Sequence, residues 1–245
     1  HLSIRRQRQM CIRDRYFPRI NGVSTSIQIF REELRQRGHQ VTLIAPGYAG
    51  ETDDETDIIR IPSRQVLFDP EDRMMRGNRI LAMLPMLRQQ QFDLVHIQTP
   101  FIAHHIGVKL ARALGIPCLE SYHTFFEEYL FHYVPFVPKS WMRALARHFT
   151  RRQCNAVDNV IVPSTAMRDV LQRYGVTQPM QIIPTGMELQ KFSDCNGPAF
   201  RQQHHIDTSR PTLVHIGRVA HEKNIGFLLH MLVELRKQIP SVLLI

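Results

Sequence analysis

Eight short aliphatic, β-branched runs recur along the chain: Val41 to Ala45, Ile58 to Ile61, Leu94 to Ile97, Cys118 to Ser121, Asn159 to Val162, Gln181 to Ile183, Leu213 to Ile216 and Val242 to Ile245. Each run is continuous rather than alternating, which is the pattern of a strand covered on both faces, as in parallel sheets. Helical patterns lie between them. Val23 to Arg37 sets Ile27, Phe30 and Leu34 on one face before Gly38, and Ala103 to Leu114 ends at Gly115 with Pro117 beyond. Ser164 caps a helix over Ala166 to Tyr174 that Gly175 terminates. Strand alternating with helix defines an α/β class with doubly wound parallel sheets.

Two stretches break the rhythm. Residues 46–57 (PGYAGETDDETD) form an acidic, turn-rich loop. Residues 184–211 run through "PTGMELQKF", "NGP" and "SRP" before a new strand, so a hinge between two sheets is expected there. That gives one domain over 16–190 and the start of a second over 191–245. The first fifteen residues fit neither. A doubly wound domain opens on a buried strand, yet "HLSIRRQRQMCIRDR" carries five arginines, so 1–15 is expected to be a foreign or misread leader, or else a basic tail. The chain as a whole reads as a fragment, because Val242 to Ile245 is a strand with nothing after it to cover it.

Charge is a poor guide to partners here. The five arginines of the leader against Asp14 supply +4 of the formal +9, so a nucleic-acid reading would rest largely on that segment. Cys11, Cys118, Cys154 and Cys195 contain no CxxC pair and follow no signal-peptide core, which fits reduced thiols. No apolar run approaches the ~20 residues of a spanning helix.

Residues able to do chemistry collect at strand ends. "PRINGVSTS" passes through Asn21 and Gly22 into a helix, where free amides at the positive end can receive an anion or simply make a turn. GxGxxG and GxxxxGK[ST] are both absent. His96 sits inside the "FDLVHIQTP" strand as an expected core histidine. His123, in "CLESYHTFFEEY", lies just past a strand's carboxyl end, where open α/β sheets keep ligands, and is either structural or functional. In "HIGRVAHEKN", Gly217 admits a close approach, Arg218 offers a guanidinium fork, and Lys223 adds a point charge beside the next helix, a set suited to a diphosphate. A helix over Lys139 to Arg152 spaces Lys139, Arg143, Arg147 and Arg151 by four, beside an apolar stripe of Trp141, Leu145 and Phe149. The aromatic run Phe125, Phe126, Tyr129, Phe131, Tyr133 and Phe136 precedes it. Such a surface binds anionic bilayers, or packs by its Trp face and leaves the basic side to water.

The succession of a glycine loop, a DLVH strand, a YHT strand end, a VPS strand end, an IPTGME hinge and GRxxxEKN resembles the retaining glycosyltransferases of family four over Tyr16 to Ile245. The resemblance implies the GT-B fold of two facing doubly wound domains, most like members that glucosylate diacylglycerol-type lipids. It places Asn21 and Gly22 near the donor phosphates and acceptor, Arg218 and Lys223 on the diphosphate, and His123 beside the transferred sugar. It implies a nucleotide-sugar donor such as UDP-glucose, a lipid acceptor, an anionic membrane surface at the cytoplasmic face, no nucleic acid, no metal and no further cofactor. The family's Glu-x7-Glu motif lies beyond the residues present, so the fragment itself is expected to be inactive. A sugar-nucleotide epimerase or hydrolase of the same plan, and a non-catalytic basic membrane adaptor, are the alternatives.

Overall fold

The computed structural model describes residues 7–14, 22–48, 56–66, 69–123, 138–187, 189–193, 195–217, 219 and 223–245. Asn21, Asp53, Asp54, the aromatic run between 125 and 136, and Arg218 therefore lie outside the described residues, as does the side chain of Lys139. The chain divides into two compact units, His1–Met187 and Glu188–Ile245; the sequence places the change at 190/191.

The first unit is built on seven parallel strands: β1 (Arg8–Ile12), β2 (Gln40–Pro46), β3 (Ile58–Ile61), then β6 (Leu94–Ile97), β7 (Cys118–Ser121), β8 (Asn159–Val162) and β9 (Met180–Ile182). Their order across the sheet is β3-β2-β1-β6-β7-β8-β9. A separate antiparallel hairpin, β4 (Ser63–Val66) with β5 (Asp69–Met75), intervenes in the chain. The helices are α1 (Gly22–Gln36), α2 (Gly77–Ala82), α3 (Leu84–Gln89), α4 (Ile102–Leu114), α5 (Lys139–Cys154) and α6 (Thr165–Arg173).

Alternation within each strand explains the two-sided burial. Cys11, Val41, Leu43 and Ala45 face Ile27 of α1 with Val23, Leu34 and Ile58 against them. Met10, Ile12, Ile44, Val95, Ile97, Val160 and Val162 face the opposite layer, with Ala103, Leu110 and Leu171. Removing an aliphatic side chain of this size from water contributes about 1.5–3 kcal/mol, so both faces must be apolar and each run reads as continuous. The helix stops expected at glycines are present: Gly38, Gly115 and Gly175 have φ of 84°, 69° and 84°. Ser164 caps α6, its Oγ accepting from the Met167 N–H at 3.2 Å.

One expectation is corrected. The segment placed in a leader supplies the central strand: β1 pairs with β2 on one side and β6 on the other. Met10, Cys11 and Ile12 are buried; three consecutive apolar residues are enough to fill a central position, and the arginines on either side conceal them in the sequence.

Helix α4 lies unusually close to the sheet at Gly107. A Cβ there would stand 2.6 Å from Ile97 Cγ1 and 2.8 Å from its Cδ1. Gly107→Val forces both elements apart, and overpacking of this type costs about 3 kcal/mol. The urea midpoint should fall accordingly; an unchanged midpoint would show that Ile97 can swing clear.

The second unit begins with a 3-10 turn (Leu189–Phe192) and α7 (Gly197–Gln203), capped by Asn196 Oδ1 accepting from the Ala199 N–H at 3.0 Å. A βαβ element follows: β10 (Thr212–Leu213), α8 (Ile225–Arg236) and β11 (Leu243–Leu244), the strands parallel. The ladder is shorter than the apolar runs.

Candidate active site

In the first unit the chain leaves β1 toward β2, while β6 sits on the other flank of β1. The direction of winding therefore reverses between β1 and β6, and the crevice at their carboxyl ends is where open α/β sheets bind ligands. Asp14 bridges the two ends: its carboxylate accepts from Thr99 Oγ1 at 2.9 Å and from the backbone N–H of Ala103, in the first turn of α4, at 3.0 Å. Ser24 and Ser26 of α1 are buried along the same edge, Ser24 Oγ accepting from Arg13 Nη2 at 3.0 Å. Among the described residues, a Cβ on Gly22 would meet nothing within 4 Å.

Beside the crevice, Ser26, Phe30, Tyr122, His123, Ile183 and Thr185 line a narrow cleft of about 10 Å³, the room of a single water-sized group. His123 thus stands where its strand-end position placed it. Its Nε2 lies 3.0 Å from Gln98 Oε1. Gln98 Nε2 lies 3.1 and 3.0 Å from the two ring nitrogens of His96. His96, 2% exposed, also meets Ser121 Oγ at 2.8 Å through Nε2 and Gln9 Nε2 at 2.7 Å through Nδ1. It is the satisfied core histidine expected from the sequence. Burial, and secondarily the neighbouring His123, push its pKa down to about 3. Burial, with the Arg13 charge behind it, lowers His123 to about 4. Both rings are neutral at ordinary pH.

In the second unit Gly217 and Lys223 come together as expected. A Cβ on Gly217 would lie 3.8 Å from Lys223 Cδ and 3.4 Å from His215 Nε2, so the lysine stem and an imidazole flank the glycine. His215 Nε2 is buried and has no hydrogen-bond partner among the described residues; the sequence reading did not single it out. Lys223 precedes Asn224, whose φ of 46° turns the chain into α8, so the lysine stands one residue ahead of the N-cap at the positive end of that helix.

Helix α5 follows β7 and returns the chain to the start of β8, so its first turns lie toward the carboxyl edge of the sheet. Its packed face is Met142, Ala146, Thr150 and Gln153. Of the two readings left open for the Trp stripe, packing by its Trp face is the one these residues do not follow: Trp141 and Leu145 are 73% and 61% exposed, whereas Phe149 is half-buried. The basic residues also divide. Arg143 is exposed; the Arg147 guanidinium sits 5.4 Å from the centre of the Tyr174 ring, and Arg151 lies against Gly175, whose Cβ would be 3.3 Å from its Nε. Spacing by four cannot tell such leaning from splaying.

Phe30 and Thr185 were missed as cleft residues, and Gln98 as the partner of His123. For Gln98 the available signal was the switch from apolar to polar at the end of "LVHIQT"; Thr185 lies in the IPTGME hinge, but nothing local marks that it reaches the cleft from the far end of the unit.

A Rossmann-like parallel sheet with its polar crevice at the strand carboxyl ends defines a doubly wound α/β protein, and sequence comparison narrows it. The description Glycosyltransferase Family 4 matches residues 20–191, and the chain belongs to that family. It is 34% identical to alpha-monoglucosyldiacylglycerol synthase of Streptococcus pneumoniae over 95% of this chain and 53% of that protein. It is 27% identical to GDP-mannose-dependent alpha-mannosyltransferase of Mycobacterium tuberculosis over 87% of this chain and 56% of that one. The chain thus spans about half the length of the curated relatives it matches. Sucrose-phosphate synthase of Thermosynechococcus elongatus superposes with a TM-score of 0.68 at 18% identity, over 98% of this chain and 61% of that chain. Glycosyltransferases of the GT-B fold are thus among this chain's structural neighbours, and a UDP-GlcNAc 2-epimerase of Methanocaldococcus jannaschii also superposes, with a TM-score of 0.54 at 10% identity over 97% of this chain and 64% of that chain. No helix among the described residues is long and apolar enough to cross a membrane.

Proposed function

We propose that the full-length protein is a retaining hexosyltransferase that moves glucose from UDP-glucose to a membrane lipid such as diacylglycerol, working at the cytoplasmic face of the membrane without a metal. The similarity to a monoglucosyldiacylglycerol synthase across 95% of the chain supports the lipid glucosyltransferase reading. The observation that carries the membrane half of it is the exposed Trp141 and Leu145 beside Arg143 on α5. A Trp and a Leu left to water next to cations are matched to a bilayer interface, where the ring and aliphatic chain enter the headgroup boundary and each cation contributes about 1 kcal/mol near anionic lipid.

In this reading Arg218 and Lys223, with the start of α8, take the diphosphate and stabilise the charge that develops as it departs. Gly217 keeps the backbone clear for its approach, and Gly22 and Asn21 serve the phosphate and acceptor side. His123 lies beside the sugar. Being neutral, it is a hydrogen-bonding group rather than a proton donor, and no side chain is assigned as nucleophile.

The test is product analysis with the full-length enzyme on vesicles of anionic phospholipid and diacylglycerol, supplied with UDP-glucose or GDP-mannose. An α-glucosyl lipid is the expected product, with vesicle binding weakened by salt and by the pair Trp141→Ala and Leu145→Ser. Mannosyl lipid from GDP-mannose alone would replace the donor assignment. Free or epimerised sugar would favour the hydrolase or epimerase alternative, and vesicle binding with no turnover the adaptor.

A further inference from the structure

The apolar run that begins in β10, Leu213 to Ile216, contains one polar residue, and it lies on the covered side. Val214 and Ile216 are 64% and 91% exposed, while Leu213 and His215 alternate with them and are partly buried. The His215 backbone N–H donates to the Ile245 carbonyl at 2.8 Å, so the residue extends the ladder with β11. An aliphatic or phenyl side chain would occupy such a position with no polar atom to satisfy. His215 instead carries Nε2 out of reach of water, with no hydrogen-bond partner among the described residues. Native proteins keep few such orphans, because each costs the desolvation of the group with no bond in return, and a binding role is one reason to keep one.

The place of that orphan is specific. The point at which a side chain on Gly217 would begin lies 3.4 Å from His215 Nε2 and 3.8 Å from Lys223 Cδ, so the bare glycine is the common neighbour of the ring tip and the lysine stem. We propose that His215 is a further binding residue for the donor diphosphate: its Nε2 donates a hydrogen bond to a phosphate oxygen that approaches over Gly217 beside the Lys223 ammonium. The inference rests on the reading of Gly217 and Lys223 as the diphosphate site, and adds to it a donor from the strand itself. Phosphate oxygens only accept, so the ring meets them with a proton on Nε2, which the neutral ring and the cation can both supply. No described group that shelters Nε2 bonds to it, so the shelter yields to a group that does. Once the anion covers the ring tip, the bond is screened from water and gains strength from the low local dielectric.

Two measurements on the full-length protein, read together, separate a binding histidine from a packing one: calorimetric titration with UDP, and urea unfolding without nucleotide. His215→Phe keeps a ring and removes the donor. UDP affinity should fall about tenfold or more, the worth of one hydrogen bond to an anion, while the affinity for uridine stays as it was. The urea midpoint of the same variant should hold or rise, because an unsatisfied polar atom has left the interior. A packing role gives the opposite pair, a lower midpoint with unchanged UDP affinity, and overturns the proposal.

His215→Gln decides the case if midpoint and affinity fall together in His215→Phe. Its side-chain amide returns an N–H close to the place of Nε2, so most of the UDP affinity should come back; a loss equal to that of His215→Phe would rule out the hydrogen bond. Should the larger phenyl ring disturb the fold, His215→Leu gives the same comparison with a smaller side chain. A native protein that binds GDP in place of UDP is tested with GDP in the same way. One that binds neither would sink the diphosphate reading and this inference with it, whereas nucleotide bound as tightly by His215→Phe as by the native protein would remove His215 alone and leave Gly217 and Lys223 in place.

Discussion

Alanine at Lys223 or at Arg218 lowers kcat/KM for the nucleotide-sugar at least about tenfold each, and together they abolish measurable UDP binding, if the start of the second unit grips a diphosphate. A charge-assisted hydrogen bond to such an anion is worth about 1.5–3 kcal/mol, and a factor of ten is 1.4 kcal/mol. The geometry at Lys223 supports the larger end: its stem and the His215 imidazole flank Gly217, and the residue directly precedes Asn224, the N-cap of α8, whose positive end adds to its charge. The two cations differ in what can replace them. Arg218→Lys loses a planar fork and should remain impaired, while Lys223→Arg keeps a point charge close to its place and should recover part of the affinity. Calorimetric titration of the full-length protein with UDP measures this directly. Affinity and turnover both unchanged in Lys223→Ala would remove the diphosphate assignment from this strand end.

Much of the first unit was legible because burial on both faces of a parallel sheet writes itself as uninterrupted aliphatic runs; β2, β3, β6, β7 and β8 follow them closely. The glycine stops at 38, 115 and 175 were legible for a different reason, since a left-handed residue is costly for anything with a Cβ. β1 was lost among arginines because a central strand needs only three consecutive apolar residues here, too few to outweigh the charges around them. The β4–β5 hairpin and the six-residue helices α2 and α3 are too short for periodicity to declare. At the site, His123 could be placed from its strand end, but the cleft depends on Ser26, Phe30 and Thr185 converging on it from separate elements, which no local pattern encodes. The outward face of α5 was left open between two readings for the same reason: Trp141 and Met142 are neighbours in sequence, and only packing decides which of them is covered.

His96 gives the protein a specific vulnerability to acid. Folding buries a ring whose native pKa is about 3 against an ordinary 6.5. Between those values the unfolded chain binds a proton that the native chain refuses, so stability is full above about pH 6.5 and falls as the pH drops toward 3. At pH 4 the loss is on the order of 3 kcal/mol from this group alone, a large part of the 5–15 kcal/mol that holds a typical domain. His123, lowered to about 4, acts in the same direction over the upper part of that window. Carboxylates protonate at the low end and complicate any single curve, so the prediction is a difference between variants. His96→Gln keeps polar atoms within reach of Gln98 and Ser121 but cannot charge. It should be less stable than the native chain at pH 7.5, yet lose about 2–3 kcal/mol less between pH 7.5 and 4 in urea unfolding. Parallel losses in the two proteins would mean that His96 charges as readily in the native chain as in the unfolded one.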